Sequence, residues 1–340
     1  MRILLLTICI GMVLVTPVTA TLLQPPVDYV ATDTLFPVPT GSYVGGFDSA
    51  DNGNFIVFNG GDIQEITPSG SVLRTIRSLS AGTSGSFIKL QGDIIYYGES
   101  TNGTLCAVRM DGTEHSVIAT MPYNYDMAFN GLGQAYVVTG SEYGAPASAN
   151  IYQLDLVTGA TDLIASVDGP SGPIIFDESG SLYYGTVSSV FGARGGQSVL
   201  SWTSGQVAGA QGPGSLSAAE ATVAASDLDS PAGFAWGPGG DLYFTSVVAS
   251  PGNIWRLSSQ GASVFASADP GIGISWLTTV RYDSSMDSLS TLVGWMDASW
   301  NTYSGICTLS PLTVPVPEPG CLVAFGSLLG WTMLSRRKSR

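Results

Sequence analysis

Six times along the chain a short apolar run meets a tight polar turn, and a second apolar run follows. The segments read GGFDSADNGNFIVF from Gly45, GSFIKLQGDIIYYG from Gly85, YDMAFNGLGQAYVV from Tyr125, GPIIFDESGSLYYG from Gly172, AGFAWGPGGDLYFT from Ala232 and TTVRYDSSMDSLSTLV from Thr278. Such runs around a Gly- or Asp-centred turn predict β-hairpins. Aligned on Gly53, Gly92, Gly133, Gly180, Gly240 and Asp287, they recur at intervals of 39, 41, 47, 60 and 47 residues, a propeller-like period. An apolar-x-x-apolar strand follows in all six units: Ile63/Ile66, Leu105/Val108, Ile151/Leu154, Val199/Trp202, Ile254/Leu257 and Ile306/Leu309. Units one to five then turn at Gly70, Gly112, Gly159, Gly205 and Gly261 into a fourth strand. The fold class expected is all-β, a six-bladed β-propeller over residues 21–311 with blades near 43–76, 85–119, 125–166, 172–210, 231–267 and 274–310. Unit six stops after Leu309 without an outer strand, which would expose an unpaired edge. Residues 27–38 are expected to supply that strand and close the last blade.

The two ends have a different pattern. Residues 1–20 carry one basic residue, Arg2, an apolar run over residues 3–15 and the small-residue ending Val18-Thr19-Ala20. This predicts a secretory signal peptide cleaved by signal peptidase between Ala20 and Thr21. At the other end, a Pro-rich linker over residues 312–319 contains Val316-Pro317-Glu318-Pro319. It is followed by a transmembrane helix and basic tail over 320–340, whose apolar run spans residues 320–334 and whose tail holds Arg336, Arg337, Lys338 and Arg340. The apolar run would span about 22 Å as a helix, short of the roughly 30 Å hydrocarbon core. It is a marginal anchor, and the basic tail is expected to stay cytoplasmic.

This C-terminal constellation resembles the PEP-CTERM sorting signal of exopolysaccharide-producing Gram-negative bacteria. The resemblance implies an exosortase, a membrane transpeptidase that cuts near the Pro-Glu-Pro, with the inner membrane as a sorting intermediate. It also implies delivery to the cell envelope or extracellular matrix.

Composition sharpens the compartment and narrows the partners. Only 11% of the 340 residues are charged, against 43 Gly and 19 Pro. Between residues 21 and 319 there are seven basic residues against 26 acidic ones, a balance of −19. Such a body repels nucleic acid, and anionic polysaccharide as well unless cations bridge. Two cysteines, Cys106 and Cys307, remain outside the targeting segments, which is no disulfide framework. Both follow the first apolar residue of the third strand, in blades two and six, too far apart to pair.

The chain has no nucleophile-elbow Ser, no His-Glu-x-x-His and no Cys-x-x-Cys, so no catalytic or metal-ligating residue is assigned. The single His, His115, follows the Gly112 turn and is expected to be exposed. The run Asp48-Ser49-Ala50-Asp51-Asn52-Gly53 looks calcium-like, but its oxygens miss the EF-hand spacing and it reads better as a hairpin turn. No cofactor is expected, with calcium left open.

The units are similar to NHL-type and gluconolactonase-like six-bladed propellers, GFAWGPGGDLYFTS most of all. The resemblance implies an acidic and Asn metal cluster in the central channel, for which no residue-by-residue match stands out. Asp126, at the start of an inner strand, is expected to be solvated or turn-capping rather than channel-facing.

Strand alternation places the connections after strand two, and those between blades, on one face, where the loops are long. Pro122 to Tyr125, Tyr143, Arg194, Trp300 and Tyr303 fall there, as does an Ala/Ser/Gly insertion from about Gln206 to Ser230. Aromatics mixed with polar groups on loops held by a rigid ring suit a glycan or peptide ligand. The candidate ligand-binding residues are Tyr143, Arg194, Trp300 and Tyr303. The function expected is a binding or structural module, an enzyme being the less favoured reading. The alternative is a metal-dependent lactonase-like hydrolase in the channel.

Overall fold

The computed structural model describes residues 21–39, 42–79, 83–99, 103–140, 148–190, 193–210, 215–246 and 251–312. Ala20, the Val316–Pro319 motif, the basic tail and Tyr143 lie outside the described residues. No helix among the described residues is long and apolar enough to cross a membrane.

Six antiparallel sheets follow one another along the chain and make a six-bladed β-propeller. Their inner strands are Val44–Ser49, Gly85–Gln91, Asp126–Phe129, Ile174–Phe176, Pro231–Trp236 and Ile274–Asp283. The hairpin turns are of the type that needs a left-handed residue: Gly53, Gly92, Gly133, Gly180 and Gly240 all have φ between 60° and 80°, and Asp287 has φ 46°. In the third strands the two apolar residues are three apart and therefore point to opposite faces of the sheet. Eleven of the twelve are buried, Leu257 being half-buried, because each blade is packed between two neighbours.

Blade-to-blade contact repeats across the first three blades. A Cβ at Gly70, Gly112 or Gly159 would collide with the carbonyl oxygen of Leu35, Ile76 or Ile118 respectively, so in blades one to three the turn before the fourth strand rests on the outer strand of the preceding blade. Leu35 takes the place in blade six that Ile76 takes in blade one. It belongs to the strand Tyr29–Leu35, which pairs residue for residue with Gly305 to Pro311 and completes the sixth sheet. The hydroxyl of Thr34 then donates to Pro68 O at 2.7 Å, fastening blade six to blade one.

Three features depart from the expected layout. Gly205 does not turn into a fourth strand: Thr203 and Gln206 form a capping box that starts the helix Ser204–Gly209, and the fourth strand of blade four is Thr222–Leu228. The insertion therefore leaves from the third-to-fourth connection, on the short-turn side of the ring rather than the long-loop side. Its Leu216–Ser217 adds a parallel edge strand to blade three. At the N-terminus Leu23–Gln24 adds an edge strand to blade five, burying Leu22 and Leu23 between blades five and six.

His115 is not an exposed turn residue. It is half-buried in the seam of blades one and two, stacked on the buried Tyr97 at 6.3 Å, with Nε2 enclosed and without a hydrogen-bond partner. Burial and the Arg77 guanidinium lower its pKa, with Glu99 pulling the other way. Cys106 and Cys307 are both buried and unpaired, their thiols held protonated by burial and by the nearby Glu99 and Asp33 carboxylates.

Two outcomes follow. Deleting residues 21–35 removes the partner of Gly305 to Pro311 and uncovers an edge, so the melting temperature should fall by about 10 °C or more, or the cooperative transition should disappear. Calorimetry checks this, and a variant that melts with its parent would show closure to be dispensable. For His115, the unfolded imidazole gains its proton near pH 6.5 while the folded one resists. Its contribution is complete above that pH and is lost as pH falls below it. The urea midpoint should drop between about pH 6.5 and about pH 5, and His115→Gln should flatten that slope.

The channel mouth as candidate functional site

Alternation of strand direction brings the starts of all six inner strands to one end of the central channel, and there a cavity of about 580 Å³ opens. Four inner strands carry a register shift at that level, between Val44 and Gly46, Gly85 and Phe87, Pro231 and Gly233, and Leu277 and Val280. The residues in these bulges are Gly45, Ser86, Ala232 and the pair Thr278-Thr279, and all of them line the cavity. Bulges re-aim a strand where they occur. Here small residues at the bulge leave the channel mouth wide.

Aromatic side chains make much of the remaining wall. Trp276, Phe87 and Tyr125 line it, and the Tyr125 hydroxyl reaches from blade three to donate to Ala232 O in blade five at 3.2 Å. Tyr123 stands at the rim, half-exposed and in a left-handed conformation with φ 54°. The next residue holds it there: buried Asn124 donates to Met121 O at 3.0 Å and accepts from the Ser86 hydroxyl. A non-Gly residue in this region is strained, and such strain persists only where the surroundings impose it.

Two ion pairs stitch the channel. Lys89 Nζ lies 3.1 Å from Asp126 Oδ1, and Arg281 Nε donates to Asp48 Oδ1 at 3.0 Å. The other oxygens are also occupied: Asp126 Oδ2 accepts from the Ile174 amide at 3.1 Å, and Asp48 Oδ2 from the Leu90 amide at 2.8 Å. Arg281 gives its remaining nitrogens to Val280 O and Ile88 O. Burial and the adjacent Arg281 lower the pKa of Lys89, with Asp126 and Asp48 opposing them. Asp126 is therefore a buried channel residue and neither solvated nor a turn cap.

The residues do not fit the acidic and Asn metal cluster that the propeller resemblance implies. Among the described residues no group of three or more His, Cys, Asp or Glu could hold an ion. Asp48, Asp126 and Asn124 line or underlie the channel, but each is bonded to protein. The Asp48 to Gly53 run is a hairpin turn, with Gly53 N donating to Ala50 O at 2.9 Å.

Of the residues singled out in the sequence, Trp300 and Tyr303 share the second hairpin of blade six. Trp300 is 73% exposed with φ 66°, and Tyr303 stacks on Trp295 at 5.5 Å while donating to Asp297 Oδ2 at 3.1 Å. Arg194 lies on blade four, two blades away. None of these three lines the cavity. Residues 122–125 mark one side of the mouth in the sequence, but Ser86, Trp276, Thr279 and Ser304 had no signal beyond the small residues at the heads of the inner strands.

No protein-family model matches the chain, and no curated protein matches it in sequence. Solved structures do. A gluconolactonase from Xanthomonas campestris superposes with a TM-score of 0.60 at 15% identity, over 87% of this chain and 97% of its own. A luciferin-regenerating enzyme gives 0.59 at 13% identity, over 84% and 96%. Virginiamycin B lyase from Staphylococcus aureus gives 0.51 at 11%, over 84% and 100%. The chain is similar to all three in fold, and with the gluconolactonase it shares the six-bladed β-propeller.

Proposed function

We propose that this chain is an exported binding module, carried to the bacterial cell envelope or extracellular matrix by a PEP-CTERM signal, whose ligand enters the channel mouth. The observation that carries the binding reading is the cavity itself: it is walled by aromatic and small residues, and its lining carboxylate Asp126, like Asp48 beneath it, is consumed in an ion pair. A largely apolar pocket with a few convergent polar groups is the usual form of a small-molecule site. The sorting reading is supported by the signal-like residues 1–20 and by Pro317-Glu318-Pro319 ahead of an apolar run and a basic end.

A lactonase-like hydrolase is the second reading, favoured by the shared fold. One fold hosts many chemistries, so the scaffold alone does not decide, and the paired state of Asp48 and Asp126 favours the binder.

A thermal-shift screen of small molecules against the protein tests the cavity. Hits should lose about tenfold or more in affinity in both Tyr123→Ala and Ala232→Trp, and should be untouched by a Trp300→Ala/Tyr303→Ala double substitution. The reverse pattern would move the site to the rim of blade six. For sorting, replacing Pro317-Glu318-Pro319 by alanines should leave export intact and block C-terminal processing. Mass spectrometry that finds the 336–340 tail removed as before would sink that part.

A further inference from the structure

We propose that the cavity takes an uncharged, hydroxyl-rich ligand and holds it without a metal ion, an inference that rests on the channel mouth being the binding site. Its exported body has seven basic residues, and two of them, Lys89 and Arg281, are placed at the channel, one for each of its carboxylates. The four charges cancel. A charged ligand would find no unpaired counter-charge unless it broke one of these pairs, and removing one partner of a buried pair is strongly unfavourable. A divalent cation faces the same obstacle, since reaching Asp126 means displacing the Lys89 ammonium and leaving it buried alone.

The hydrogen-bonding groups that remain open in the wall are neutral. Thr278, Thr279 and Ser304 line the cavity and Tyr123 stands at its rim, and the Thr278 hydroxyl is enclosed without a hydrogen-bond partner among the described residues. Trp276 and Phe87 add apolar ring surface beside them. Hydroxyls that both donate and accept, next to aromatic faces, match a ligand that alternates hydroxyl edges with C–H faces, which describes an uncharged sugar or cyclic polyol.

Calorimetric titration of the full chain with glucose and cellobiose, and with glucuronate and glucosamine as charged counterparts, tests this in EDTA and in millimolar calcium. At least one neutral sugar should bind with the same affinity in both buffers, and its charged counterpart about tenfold or more weaker. Thr279→Val/Ser304→Ala should weaken that binding about tenfold with the melting temperature unchanged. Binding abolished by EDTA, charged sugars binding as well as neutral ones, or no neutral sugar binding would each overturn the proposal. Should screening hits of another class still depend on Tyr123, the cavity reading would stand while the ligand class fell; hits indifferent to Tyr123 would remove the cavity itself.

Discussion

The pairing of Tyr29–Leu35 with Gly305 to Pro311 is the interaction on which the rest of this molecule depends. A propeller is a ring of sheets that each rest on the previous one, so it has no stable half-closed form without a free seam. Here the seam lies between blades six and one, and three things cross it: the strand that completes blade six, the Thr34 hydroxyl on Pro68 O, and the Arg281–Asp48 ion pair. The last of these sits in the channel. Ring closure therefore sets the charge pairing of the candidate site as well as the stability of the fold, because Asp48 meets its counter-charge only when the first and last blades are neighbours.

Local sequence carries most of the scaffold. Hairpin turns are visible because a left-handed residue is needed at each, and Gly53 through Gly240 mark them. Blade four was hidden for a local reason too. Gly205 looks like the turn glycines of the other blades, yet Thr203 and Gln206 form a capping box three residues apart, and that stronger signal starts a helix. The true outer strand, Thr222–Leu228, is rich in alanine and exposed positions, so it lacks the apolar pattern of its counterparts.

The channel was harder to read. Lys89 and Asp126 are neighbours because blades two and three are adjacent, and Arg281 reaches Asp48 from 233 residues away. Nothing in a linear pattern brings these together; only the closed ring does. His115 illustrates the same limit, since its place after a turn suggests exposure while the adjoining blade supplies the cover. The exposed aromatics Trp300 and Tyr303, by contrast, stand out in sequence and on the surface alike, but the ring directs them away from the channel wall.

The two ends of the described chain leave the ring on different faces. Leu23 pairs with Ala268 where blade five's outer strand reaches the cavity side, whereas the last strand runs away from the mouth to end beside Asp28, where the Leu312 amide donates to Asp28 O at 2.7 Å. A support joined after Leu312 therefore holds the disc from behind, with the opening turned outward. For immobilisation on a sensor surface or display on a particle, the C-terminal side is the one that leaves the mouth unobstructed, and an attachment at Thr21 would crowd its rim.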